Sequence, residues 1–342
     1  MNRNPSVQAV VNFKEKSKRG VVNIPAIGHA VSPQVAASIA QLEFDLGQWE
    51  QNPRIGDLLS RTVLNGGKRL RPLVNFLMAD FFGVKHEDIA PYARVVELVH
   101  AATLAHDDVI DNASVRRGAP SINAVATNKH AVLAGDYLLA YAVEQVARSG
   151  RGDLVLCLTR VISDLAEGEW LQIENSQANH LNKEDIENVA LKKTGSVLRW
   201  CCEIPPRLQR LDEDLCQKAA EFGELLGVAF QMTDDILDFK RRDGAEFADI
   251  KNGVINSVIY EALSITSPDR APHSGAIAKI NWDAETLAVS LERVTIDARK
   301  KLDRCRELLK LMEESTPSLQ ARERNSAQFA MSCLIEYLAN RV

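Results

Sequence analysis

From Ser32 onward one pattern repeats: apolar residues return every three or four positions, and breaks rich in Gly, Pro, Ser and Asp separate the runs. Ser32 and Pro33, ahead of VAASIAQLEFDLGQW, supply an N-cap side chain and a proline for the first helical position. The same period predicts helices over 68–83, 87–112, 130–148, 152–176, 184–203, 212–239, 284–314 and 318–340, separated by breaks such as FFGVKHED, RSGRGD and IPPRLQRLDED. Strand alternation is not evident anywhere. Two runs, VVELVHAATLAHDD and KAAEFGELLGVAFQMTDD, are apolar or small nearly all round, which marks helices at the centre of a bundle. The pattern therefore predicts an all-α fold, a large single-domain helical bundle over 32–342. Residues 1–31, polar and basic around KEKSKRG, read as a loose arm. The stretch from Arg241 to roughly Asp283, with SPDRAPHSG within it, reads as a flexible region over one end.

Composition narrows the classes of function. Of the 342 residues 46% are hydrophobic and 25% charged, as in ordinary globular proteins, and the net charge of -5 argues against a nucleic-acid partner. An anionic substrate would need a local cluster of Lys and Arg, because the whole molecule offers no basic field. The six cysteines (Cys157, Cys201, Cys202, Cys216, Cys305, Cys333) form no C-x-x-C pair, and two are adjacent, which suits neither a zinc site nor a disulfide framework. A reducing cytoplasm is the expected location. No apolar run approaches the ~18 residues that would cross a bilayer. The N-terminus lacks the basic start and apolar core of a secretory signal, and Glu15 with few Ser and Arg argues against a mitochondrial transit peptide.

The chemistry is concentrated in acids. Asp107, Asp108 and Asp111 in AHDDVID stand at i, i+1 and i+4 near the end of an apolar run, within about one helical turn. They repel one another, and a helix C-terminus is the unfavourable end for carboxylates, so a cation must compensate. One D-D-x-x-D alone describes many solvated helix ends. Here Asp234, Asp235 and Asp238 in QMTDDILDF repeat the spacing at the end of a second apolar run. Hard oxygen ligands in partial sets, leaving room for water and phosphate, describe magnesium better than zinc or a calcium loop. Cations stand nearby: Lys68, Arg69 and Arg71 in GGKRLRP, and Arg116 with Arg117 in SVRRG. Arg offers paired donors to phosphate, Lys a point charge, and Gly66 with Gly67 would allow close backbone approach. His100, taken alone, reads as an ordinary core histidine.

In order, the chain presents GGKRLRP, ELVH, HDDVID, VRRG, AGDYLL, GEWLQ, KTG and QMTDDILDF. In this it resembles the trans-polyprenyl diphosphate synthases over roughly residues 33–265, and in character it is most similar to the long-chain, octaprenyl type. The resemblance implies the isoprenoid synthase fold with a central substrate cavity, and the condensation of an allylic diphosphate with isopentenyl diphosphate by magnesium-assisted ionisation. Position by position, it implies that Asp107, Asp108, Asp111, Asp234 and Asp238 bind magnesium, with Asp235 acting through water. Arg116 would clamp the allylic diphosphate. Lys68, Arg71, His100 and Arg117 would hold isopentenyl diphosphate, while Lys193, Thr194 and Gln231 would line the reacting carbon and the allylic phosphate. It further implies a homodimer and peripheral membrane contact for releasing a long apolar product.

The chain departs from the family once. Where the family usually continues with D-L-K-x-G-K-x-T, this chain reads DIKNGVIN: Asp249 and Lys251 match, but Val254 replaces a lysine and Asn256 a threonine. Lys240, Arg241, Arg242 or Lys251 could substitute as the phosphate ligand. Val254 alone favours a catalytically reduced regulatory subunit of a heteromer, and a terpene cyclase is disfavoured by GGKRLRP and by the second D-D-x-x-D. Product length is read from Ala102 and Thr103, the fifth and fourth positions before Asp107, where short-chain relatives carry bulky aromatics. With no aromatic floor, and one helical turn rising ~5.4 Å, about one prenyl unit, the expected product exceeds twenty carbons and lies near forty.

Overall fold

The computed structural model describes residues 25–42, 53–64, 69–116, 118–240, 250, 253–266, 272–316 and 321–341. The described helices are α1 (Pro25–Gly28), α2 (Pro33–Ala40), α3 (Pro53–Arg61), α4 (Leu70–Phe82), α5 (His86–Ile110), α6 (Ile122–Val125), α7 (Asn128–Ala147), α8 (Gly152–Gln177), α9 (Lys183–Ala190), α10 (Ser196–Leu208), α11 (Glu213–Lys240), α12 (Ser257–Thr266), α13 (Ala284–Ser315) and α14 (Ala321–Arg341). A π-helical turn, Leu191–Gly195, joins α9 to α10, and a 3₁₀ turn covers Ser274–Lys279. The all-α expectation is met. The only described strands are β1 (Val115–Arg116) and β2 (Ala119–Pro120), an antiparallel ladder too short to leave an alternation signal in the sequence.

The described residues form two compact units, the first drawn from Met1–Thr159, Ile204–Leu211 and Ser318–Met331, the second from Arg160–Glu203, Asp212–Pro317 and Ser332–Val342. In the first, α5 packs along α7 and α4. Small residues permit the closeness: Ala101, Ala102 and Ala105 on α5 and Ala131, Ala134 and Ala142 on α7 are buried. A Cβ at Gly135 of α7 would collide with the His106 ring. Helix α4 contributes Leu73, Val74, Phe76, Leu77, Met78, Phe81 and Phe82 to this core, each such side chain stabilising the fold by about 1.5–3 kcal/mol through burial. Gly83, in the left-handed region at φ 69, ends that helix. His86 is held between Ser38 Oγ at 2.7 Å and Asp80 Oδ1 at 2.7 Å, which fixes the start of α5.

In the second unit α11 packs along α13. The core below it gathers Val228, Met232, Ile236 and Phe239 of α11 with Val258, Ile259, Ala262 and Leu263 of α12 and Val294 and Ala298 of α13. Backbones approach closely at glycine: a Cβ on Gly227 would lie 2.6 Å from Gly195 Cα, and one on Gly168 would lie 2.7 Å from Lys193 Cγ. These contacts seat the π-helical turn against α8 and α11. The long, nearly all-round apolar runs thus become α5 and α11, as their patterning predicts.

Four expectations change. Ser32 caps as predicted, its Oγ accepting from Val35 N–H at 3.2 Å, but the helix ends at Ala40. The predicted 184–203 helix is divided by the π-helical turn, and it continues through Pro205 and Pro206 to Leu208, where IPPRLQRLDED had read as a break. The stretch from Arg241 to Asp283 contains α12, whose burial of Val258, Ile259, Ala262 and Leu263 is tertiary and gives no long stripe. Within the expected arm, residues 25–31 are described, and Ile27 and Ala30 are buried.

Candidate active site

The first acidic motif closes α5. Asp107 is half-buried, Asp108 fully buried and Asp111 exposed as the C-cap, its N–H donating to Asp107 O at 2.8 Å. The chain then turns back through Asn112, in the left-handed region at φ 51, into the β1–β2 hairpin, whose Gly118 has φ 77. The register pairs Val115 with Pro120 and Arg116 with Ala119. The hairpin returns Arg116 to the helix end, where Nε donates to Asp108 Oδ1 at 2.7 Å and Nη2 lies 2.6 Å from the same oxygen. Asn123 Nδ2 donates to Asp108 O and to Ala113 O, both at 3.0 Å, and Ser121 Oγ donates to Ala113 O at 2.8 Å. Arg116 is therefore the cation that the acids at this helix end require. Asp108 Oδ2, buried, has no hydrogen-bond partner.

The second motif closes α11 with the same order of exposure: Asp234 half-buried, Asp235 buried and Asp238 exposed. Asp235 Oδ1 accepts from Gln231 Nε2 at 3.0 Å and Oδ2 from the Ser257 N–H at 3.1 Å, at the start of α12. Thr194 Oγ1 donates to Gln231 Oε1 at 3.0 Å. One hydrogen-bonded chain thus runs from the π-helical turn through α11 to α12, joining three predicted site residues. Lys193, in the same turn, reaches Glu169 and, at 3.0 Å, Gln172 Oε1. π-Helical turns recur at functional sites because the inserted residue re-aims its neighbours. Lys192 next to it points the other way, and its hydrogen bond to Glu167, with Asp164 adding to it, holds its ammonium above the ordinary lysine range. Asp234 Oδ1 lies 3.1 Å from Arg341 Nη1 on α14, whose guanidinium also sits 5.7 Å from the Tyr337 ring centre.

Of the remaining predicted residues, Arg71 stands one residue into α4, while His100 lies half-buried on α5 with its carbonyl accepting from Thr103 Oγ1 at 2.9 Å. Ala102 has no exposed surface, and Thr103 is half-buried. Lys68, Arg117 and Lys251 lie outside the described residues, as do Arg241, Arg242 and Asp249. Asn256 has a local task that explains its departure from threonine: its Oδ1 accepts from Ile259 N–H at 3.0 Å and caps α12. Val254 is half-buried. Several participants escaped the sequence reading. Glu169 and Gln172 sit in GEWLQ and Glu97 in ELVH, motifs seen but not assigned. Asn123 and Arg341 carried no signal, since Arg341 is 107 positions from Asp234.

The donors suit a hard divalent cation. Both motifs offer only carboxylate oxygens, and Asp108 Oδ2 is left without a partner. Among the described residues, no three His, Cys, Asp or Glu side chains gather as a complete metal site. Partial oxygen sets completed by water and phosphate fit magnesium. The chain's thiols near α11 offer no nucleophile: burial pushes Cys305 up to about 12 and Cys202 well above its ordinary value, so both stay neutral.

Residues 52–289, which span both motifs, match the polyprenyl synthetase family model. The chain belongs to the polyprenyl synthetase family. It is 33% identical to the nonaprenyl diphosphate synthase of Mycobacterium tuberculosis over 254 residues, 72% of this chain and 75% of that one. It is 38% identical to the decaprenyl-diphosphate synthase of Dictyostelium discoideum over 178 residues, 51% of this chain and 38% of the relative. Among the first curated relatives it matches, the chain spans between 38% and 59% of their length. The family fold is confirmed by the decaprenyl diphosphate synthase of Rhodobacter capsulatus, with TM-score 0.72 at 24% identity, covering 99% of this chain and 98% of that one.

Proposed function

We propose that this polyprenyl synthetase family chain condenses an allylic diphosphate with isopentenyl diphosphate, head to tail, to make an all-trans polyprenyl diphosphate. The observation that carries the reading is the pair of D-D-x-x-D motifs, each closing a buried helix with its second acid fixed inward and its first and fifth acids on the more accessible side. Asp107, Asp111, Asp234 and Asp238 would hold magnesium, with Asp108 and Asp235 fixed behind them. When bound, magnesium supplies positive charge for the oxygens of the departing diphosphate.

The chain's own residues do the rest. Arg116 donates to the allylic diphosphate, and Lys68, Arg71, His100 and Arg117 bind isopentenyl diphosphate. As the allylic carbon–oxygen bond breaks, positive charge grows on carbon, and Lys193, Thr194 and Gln231 stand beside that centre with their oxygens and amide dipoles. The double bond of isopentenyl diphosphate attacks the cation, and the proton lost in restoring an allylic double bond passes to the released diphosphate. No protein nucleophile enters. Apolar helix walls keep water from the cation.

A product longer than twenty carbons, near forty, is supported by the long-chain names of the two relatives and by the small residues Ala102 and Thr103. We further propose that residues 32–342 act as one synthase domain, a reading supported by a family match that includes residues of both compact units. A homodimer is supported by apolar side chains left exposed on α7 and α8, Leu133 at 65%, Leu156 at 67% and Trp170 at 67%. A cytoplasmic location is supported by six free cysteines. No described helix is long and apolar enough to cross a membrane, so contact with a bilayer for product release would be peripheral. The test is incubation of the purified chain alone with farnesyl diphosphate, isopentenyl diphosphate and magnesium, followed by mass spectrometry of the dephosphorylated products. Products beyond twenty carbons support the reading. A cyclic hydrocarbon, a product of twenty carbons or fewer, or activity only with a partner subunit would overturn it.

A further inference from the structure

We infer that Arg69, through its ion pair with Glu97, is a positioning residue for the isopentenyl diphosphate side of the site. The inference rests on the proposed function. Arg69 is the N-cap of α4 and sits in the left-handed region at φ 53, ψ 33, a conformation that residues with a Cβ rarely hold without an outside constraint. Its side chain makes no capping hydrogen bond. Instead Nη1 reaches Glu97 Oε2 on α5 at 2.6 Å, with side-chain exposures of 20% and 9%.

The place of this contact gives it a function beyond packing. Arg69 stands between Lys68 and Arg71 in the chain, and Glu97 stands one helical turn before His100 on α5. The ion pair therefore ties together the two segments that carry three of the four residues assigned to isopentenyl diphosphate. It fixes the point at which α4 begins, and with it the direction in which Arg71 leaves the backbone. It also sorts the charges. Three cations lie within four residues of GGKRLRP, and Glu97 neutralises the middle one, so Lys68 and Arg71 remain for the diphosphate. A buried carboxylate needs a partner, and a short, charge-assisted contact to a planar guanidinium sets direction as well as distance.

The experiment compares R69G, R69K and E97Q. Glycine accepts the left-handed backbone without strain but lacks the guanidinium, so R69G separates the ion pair from the turn. Steady-state kinetics with each substrate varied in turn should show KM for isopentenyl diphosphate raised about tenfold in R69G, with allylic KM within about twofold and kcat little changed. E97Q, which keeps an oxygen acceptor for Arg69, should show a smaller rise in the same direction. R69K, which keeps the charge but not the fork, should recover part of the loss. Titration calorimetry of isopentenyl diphosphate into the metal-free proteins gives a readout independent of turnover and should rank the variants alike. An unmoved isopentenyl KM in both R69G and E97Q would overturn the inference, as would equal rises for both substrates together with a lowered melting temperature, which would mark a merely structural contact. Wild-type protein that neither elongates an allylic diphosphate nor binds isopentenyl diphosphate would instead overturn the functional reading, and this inference with it.

Discussion

The ends of α5 and α11 carry the same acidic spacing and fold into the same order of exposure, yet different groups hold them. In both, the second acid is buried while the first is partly accessible and the fifth exposed, because i and i+4 share a helix face and i+1 turns toward the core. Asp108 is neutralised by a guanidinium delivered by a hairpin a few residues later. Asp235 is held by an amide side chain and a backbone N–H, with no cation on either bond. Where the second motif does meet an arginine, Arg341, it is at the more exposed Asp234, with 38% of its side-chain surface accessible. The difference teaches that one motif can be built on charge pairing or on dipoles, and that its metal-facing acids need not be the ones its scaffold secures.

The largest effect should come from the outward acids, where the two motifs are alike. Asp107→Ala and Asp234→Ala should each lower turnover by at least about 100-fold while leaving circular dichroism and melting temperature near wild type, because each removes a ligand and no core packing. A mutant of either kind that turns over normally at saturating magnesium would break the equivalence of the two motifs.

The arginines should differ. Arg116→Ala leaves the Asp108 carboxylate buried and unpaired, and denaturant unfolding should show a loss of about 3 kcal/mol together with a raised KM for the allylic substrate. Arg341→Ala leaves a carboxylate that water can reach, and should cost at most about 1 kcal/mol. Equal losses would show that the second motif relies on charge pairing as much as the first.

The buried second acids sharpen the contrast further. Asp108→Asn removes the charge that Arg116 pairs with, whereas Asp235→Asn keeps an oxygen for one of its two neutral donors. The melting temperature should therefore fall more in Asp108→Asn than in Asp235→Asn, with a difference of about 1 kcal/mol in stability.

The smallest effect lies outside both motifs and serves as a control. Burial pushes the Asp297 carboxyl up, but hydrogen bonds from Lys183 and Lys300 outweigh it and hold the carboxyl below its ordinary value. A depressed carboxylate stabilises the fold above its unfolded pKa, and that stability is lost as pH falls through the folded value. Melting temperature measured from pH 7 down to about pH 3 should fall less steeply in Asp297→Asn than in wild type, while the activity profile near neutrality stays unchanged. A changed neutral-pH profile would link this network to the site.

Much of this was legible in the chain. A period near 3.6 located most of the helices, since each must bury one face, and the central pair showed itself by burying nearly all faces. Helix α12 was not legible, because its burial depends on packing against α11 and α13, and its Glu261 is buried only by virtue of Lys183 and Arg293. Pro205 and Pro206 read as a stop, because a proline removes a backbone donor and crowds the preceding turn; the helix nevertheless runs through them.

For the site, residue type and local spacing were sufficient to find both acidic motifs, the KTG segment and Arg116, because each of these is a short-range pattern whose chemistry is visible in the letters themselves. The sequence by itself thus determined the kind of chemistry, hard oxygen ligands beside phosphate-binding cations on helix ends. Only the tertiary structure decided which acid of each motif is buried and what holds it. Arg341 meets Asp234, Ser257 meets Asp235 and Arg69 meets Glu97 across 107, 22 and 28 positions of chain. Contacts at such separations leave no local pattern, because they are selected by the packing of whole helices and not by the preferences of neighbouring residues.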